Sequence, residues 1–128
     1  MLRRTILLAM FALALAASPA LADCHWHSQM KQGTATASRA MGACSARAGS
    51  HAGSLRVTCP PHRSASLTYL FAGNHKVHGD ARVGIDASGT AKVGSAVKVS
   101  RSSIQVTVTV SGGGTTQVDS VSVGYYAD

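Results

Sequence analysis

Ile104-Gln105-Val106-Thr107-Val108-Thr109-Val110 alternates apolar and polar residues without a fault. A period of two puts every apolar side chain on one face and every polar one on the other, the pattern of a half-buried β-strand. Four of the residues are Val or Ile and two are Thr, whose branched side chains suit a pleated sheet. Arg101-Ser102 before the run and Gly112-Gly113-Gly114 after it mark turns. Working outward, the same alternation returns. Ala91, Val93, Val97 and Val99 alternate with Lys92, Lys98 and Ser100. Val77, Ala81, Val83, Ile85 and Ala87 share one face, opposite Lys76, His78, Asp80, Arg82 and Asp86. Ala65, Leu67, Tyr69 and Phe71 alternate with Ser66 and Thr68. Gly73-Asn74 and Ser88-Gly89 separate these runs as turns. Val121, Val123 and Tyr125 close the pattern, and the apolar phase shifts after Val118, which predicts a bulge near Asp119-Ser120.

Residues 65–128 therefore read as five strands with short, antiparallel connections. Each has one apolar face, so a second layer must cover them. The N-terminal half is expected to supply it. Leu55, Val57 and Cys59 alternate with Arg56 and Thr58, and Pro60-Pro61 stops that strand. Residues 33–54 leave two readings open. Ala37, Ala40, Met41, Cys44 and Ala48 would line one face of a short helix ending at Gly49, whereas Thr34 to Ala37 also suits a strand. The expected fold class is all-β: a small antiparallel β-sandwich, immunoglobulin-like or jelly-roll-like, with room for that helix. Trp26 precedes two of the three cysteines, unlike the Cys…Trp…Cys order of immunoglobulin domains. The segment Val118-Asp119-Ser120-Val121-Ser122-Val123 resembles the last strand of some carbohydrate-binding modules over those residues.

The first residues carry a different signal. Arg3 and Arg4 precede an uncharged apolar run from Ile6 to Ala17, broken by Ser18-Pro19. Ala20-Leu21-Ala22 places small residues at the positions that signal peptidase reads. The run is shorter than the roughly 20 apolar residues of a membrane span. The expectation is a cleaved signal peptide over 1–22 and a single domain over 23–128, secreted or periplasmic, with no transmembrane helix after cleavage. Within it, 23–64 is a basic, Cys- and His-containing segment and 65–128 holds the strands. A lipobox reading with Cys24 lipidated fits less well, because Asp23 stands where a small residue is wanted.

Lys and Arg number 12 against 5 acids, for a formal net charge of +7. Arg3 and Arg4 leave with the signal peptide, which lowers the excess by two. Every acid is an Asp: Asp23, Asp80, Asp86, Asp119 and Asp128. Lys31, Arg39, Arg47, Arg56 and Arg63 face Asp23 alone in the segment 23–64. A positive segment attracts anionic partners. The expected partner is an anionic glycan, another envelope polymer or a protein, with Arg39, Arg47, Arg56, Arg63 and Tyr126 as contacts. Tyr125 and Tyr126 must face opposite ways on a regular strand, so one is exposed. Of the three cysteines, Cys44 with Cys59 is the expected disulfide, and Cys24 with either remains an alternative.

No catalytic set emerges, and the chain is expected not to be an enzyme. There is no Glu, no serine sits in a Gly-x-Ser-x-Gly elbow, and Gly112-Gly113-Gly114 lacks the Lys and helix of a phosphate loop. Nucleic-acid binding is not expected either, because Tyr69 and Phe71 read as core rather than as stacking platforms. No cofactor is required, with one alternative. Cleavage before Asp23 would create Asp23-Cys24-His25, which resembles the amino-terminal copper and nickel motif. The amine, two backbone amides and the His25 imidazole would form a square of nitrogens suited to Cu(II) or Ni(II), with His27 as a further contact.

Overall fold

The computed structural model describes residues 24–73 and 75–128. The expected signal peptide, Asp23 and Asn74 of the expected Gly73-Asn74 turn lie outside these residues. Nine strands run through the described part: β1 (His25–Gln32), β2 (Ser38–Ala40), β3 (Ser45–Ala48), β4 (Leu55–Cys59), β5 (Ser64–Ala72), β6 (Val77–Gly89), β7 (Lys92–Val99), β8 (Ser103–Ser111) and β9 (Gly114–Ala127). They form two antiparallel sheets packed face to face as a small β-sandwich. No helix of the described residues is long and apolar enough to cross a membrane.

β9 organises the first sheet. One flank pairs with β6 along most of its length. The other is shared end to end by β1, opposite Ser120 to Ala127, and β4, opposite Gly114 to Val118. β3 extends the sheet beyond β4. The second sheet runs β2-β5-β8-β7.

The alternation seen in the sequence becomes register. Ala65, Leu67, Tyr69 and Phe71 of β5 lie opposite Val110, Val108, Val106 and Ile104 of β8. All eight are at most 1% exposed. From the first sheet, Leu55, Val57 and Cys59 of β4 and Val118, Val121, Val123, Tyr125 and Ala127 of β9 close over them. Burying each Val, Leu, Ile or Phe here contributes about 1.5–3 kcal/mol against leaving it in water.

The expected bulge falls at Asp119. Ala87 pairs with Val118 and Asp86 with Ser120, which leaves Asp119 without a partner on β6. The expected disulfide joins Cys44 to Cys59.

Three expectations are corrected. The N-terminal half does not form the covering layer. β6 and β9 join β1, β3 and β4 in one sheet, while β5, β7 and β8 join β2 in the other. The connections at Thr90-Ala91 and Gly112-Gly113 cross between sheets, so a short link does not ensure pairing. Second, residues 37–48 form β2, a turn and β3 rather than a helix. Small Ala side chains offer a helix little to bury, Gly42 turns the backbone at φ 57°, and the disulfide ties Cys44 to β4. Third, Val97 is 42% exposed although its paired neighbour Val106 is fully buried. β7 is the sheet edge, so its inward face is covered incompletely.

Candidate functional site

Among the described residues, the exposed aromatic side chains Trp26 and Tyr126 and a polar network around Gln117 lie on the outer face of the first sheet. The Asp119 bulge keeps that face continuous. Before it, Thr116 and Val118 point inward; after it, Val121, Val123, Tyr125 and Ala127 do. Without the extra residue, one end of β9 would turn its apolar side chains to water.

One end of the face is aromatic. Trp26 on β1 lies opposite Tyr126 on β9. Their rings meet edge to face at 5.0 Å and 71°, and both are about half exposed, 49% and 51%. The Trp26 indole covers Gly124, where any Cβ would collide with it. Glycine is thus the residue that lets the ring settle onto the strand. Asp80 and Arg82 of β6 border the pair and complete a shallow depression of about 430 Å³. A second bulge, this one on β6, positions them. His78 pairs with Tyr126 and Arg82 with Gly124, so three β6 residues span one residue of β9. Gly79 makes this bend at φ 77°. The result is an aromatic surface flanked by one donor group and one acceptor group.

The opposite end is cationic. Arg47 of β3 and Arg56 of β4 are direct cross-strand partners. Like charges so placed repel unless an anion lies between or above them. Both border a depression of about 460 Å³ with Ser45, Thr58 and Thr115. The Thr58 and Thr115 hydroxyls are hydrogen-bonded at 2.9 Å. Among the described residues, no Lys or Arg forms an ion pair with a carboxylate; the two ion pairs involve His51 with Asp119 and His78 with Asp128.

Gln117 ties the cationic end together. Its Oε1 accepts from Arg56 at 3.3 Å and from the Ser50 backbone and hydroxyl at 2.9 and 3.0 Å. Its Nε2 donates to Asp119 Oδ1 at 3.0 Å. His51 Nδ1 donates to the same oxygen at 3.0 Å. The His51 bond, then the Gln117 bond, hold the Asp119 carboxyl below its ordinary range. Among the described residues, no serine hydroxyl bonds the His51 ring. Ser50 turns its hydroxyl to Gln117, and Ser54 donates to the His51 backbone carbonyl at 2.6 Å.

The residues singled out from the sequence separate. Arg47 and Arg56 come together; Arg39 lies on β2 of the other sheet, donating to Thr36 Oγ1 at 3.0 Å, and Arg63 is exposed in the turn before β5. Tyr126 is the exposed member of its pair and Tyr125 the buried one. His25 is exposed opposite Ala127. His27 stacks on Tyr125 at 5.6 Å, and its Nε2 bonds the Ala127 carbonyl at 3.2 Å. Cys24 instead meets His78 and Asp128. Trp26, Asp80, Arg82, His51 and Gln117 escaped the sequence reading as ligand contacts. β1 alternates Trp26, Ser28 and Met30 with His27, Gln29 and Lys31, so neither face reads as apolar.

No protein-family model, no curated protein and no solved structure matches the chain. The site must therefore be read from its own chemistry.

Proposed function

We propose that this chain is an exported, non-enzymatic binding module that holds an acidic glycan across the outer face of its first sheet. The observation that carries this reading is the half-exposed Trp26–Tyr126 pair, bordered by Asp80 and Arg82. Sugar rings present C–H bonds on their faces and hydroxyls around their rims. The electron-rich face of an aromatic ring attracts the former. A carboxylate and a guanidinium beside it can accept from and donate to the latter. The Arg47–Arg56 pair on the same face supports an anionic ligand, because guanidinium groups match carboxylate and sulfate oxygens. Along β9, Gln117 to Tyr126 covers roughly 30 Å at about 3.4 Å per residue. That length suits an extended polymer better than a single sugar. The disulfide is compatible with an oxidising compartment.

The test is calorimetric titration with polygalacturonate, a sulfated glycan and a neutral glucan at low salt. Saturable binding of an acidic polymer is expected, weakened about tenfold or more by Trp26→Ala, as for a central aromatic anchor. Equal binding by wild type and Trp26→Ala, or no binding to any of the polymers, would overturn the proposal.

A further inference from the structure

We infer that Cys24, His78 and Asp128 form a binding site for a divalent transition-metal ion, with Zn(II) the best match to their chemistry. The three residues are far apart in sequence and come from three places: the residue before β1, the β6 bulge and the end of β9. The strand order β1-β9-β6 brings them together. Their ligating atoms lie within 4.8 Å of one another. His78 Nε2 is 2.9 Å from Asp128 Oδ1, and Cys24 Sγ is 4.0 Å from the same oxygen.

These spacings bracket what zinc needs. Zn–N and Zn–O bonds near 2.0–2.2 Å and Zn–S near 2.3 Å place tetrahedral ligand atoms about 3.3–3.7 Å apart. Small side-chain rotations bring the observed atoms into that range. A sulfur, an imidazole nitrogen and a carboxylate oxygen suit zinc; calcium and magnesium take oxygen ligands almost alone. On binding, the Cys24 thiol proton passes to solvent and the thiolate becomes the ligand. A depression of about 270 Å³, bordered by Cys24, His78, Gly79 and Tyr126, leaves room for a fourth ligand from solvent. The bend at Gly79 follows His78 directly, at a bulge of the kind that re-aims side chains beside functional sites.

This inference does not depend on the glycan reading. It also differs from an amino-terminal copper motif, because two of its three ligands lie in β6 and after β9.

The experiment is a competition titration of Zn(II) against a chromophoric chelator, using protein purified after expression of the full chain. One equivalent is expected to bind. His78→Ala, which leaves the N-terminal segment untouched, and Cys24→Ser should each weaken binding about tenfold or more, as removal of a ligand requires. Substituting Co(II) should give a thiolate charge-transfer band that Cys24→Ser abolishes. A His25→Ala/His27→Ala double variant should bind zinc as wild type does, and so should Trp26→Ala even if it no longer binds glycan. Absence of saturable zinc binding would overturn the inference. So would binding that survives His78→Ala, or that disappears in the His25→Ala/His27→Ala variant.

Discussion

Tyr69 shows how one side chain meets two demands. Its ring is fully buried between the sheets, and its hydroxyl donates to the Gly33 carbonyl at 2.7 Å. Tyr69→Phe keeps the ring but leaves that carbonyl without its donor. The expected cost is about 1 kcal/mol in urea unfolding. Burial also raises the Tyr69 pKa to about 12, with Arg39 opposing the rise. A folded-state value above the unfolded one means that the native state holds the proton more tightly. Its stabilising contribution is therefore complete below about pH 10 and is lost as pH rises towards about 12. The Phe variant should lose less stability than wild type across that window; parallel curves would refute the assignment. Trp26 is the reverse case. Its sequence surroundings are polar on both sides, so only its place over Gly124 and beside Tyr126 marks it as a contact residue.

Among the elements, β4 is the best secured. It pairs with β3 on one side and β9 on the other, and its last residue is disulfide-bonded across a separation of 15 residues. Closing a loop of that size is worth about 3 kcal/mol in the chain-entropy model. Cys44→Ala/Cys59→Ala should lower the unfolding free energy by about that amount, measured by urea titration under non-reducing conditions. The same midpoint for both proteins would show that strand pairing alone holds β3 and β4. The strands of the second half were legible because Val, Ile and Thr alternate there at a strict period of two. β1 and β2 were not. β1 carries polar residues on both faces, and β2 is three exposed residues that pair along β5. The Asp119 bulge was legible as a phase change between Val118 and Val121. The β6 bulge was not, because His78, Gly79 and Asp80 interrupt no apolar run that could display a shift.

At the scale of the molecule, the first sheet carries both signs of charge, with Lys31, Arg47, Arg56 and Arg82 among its strands, whereas the second carries basic residues alone among those described. The described carboxylates all belong to the first sheet's strands or their ends: Asp80 and Asp86 on β6, Asp119 on β9 and Asp128 just after it. The second sheet carries Arg39, Lys92 and Lys98, with Arg101 in the turn between β7 and β8. Net positive charge draws a polyanion from any direction, but docking needs local complementarity. Arg47→Ala/Arg56→Ala should therefore weaken binding of an acidic glycan about tenfold, ~1.4 kcal/mol, and flatten its salt dependence. Lys92→Ala/Lys98→Ala removes the same charge from the opposite sheet and should change affinity much less. Equal effects of the two double variants would place the ligand elsewhere.

Period-two alternation by itself determined that the second half is built of strands, which of its residues form most of the core, and where β9 shifts phase, because side-chain direction along a strand is a local property. The disulfide partner was also anticipated from the chain. Sheet membership and the gathering of sites were decided only by tertiary structure. A strand's apolar face says that it must be covered but not by which neighbour, so the division of β5 to β9 between two sheets could not be read locally. Trp26 and Tyr126 lie far apart in sequence, as do Cys24 and His78. They meet because β9 sits between β1 and β6, a choice made by the packing of the whole core.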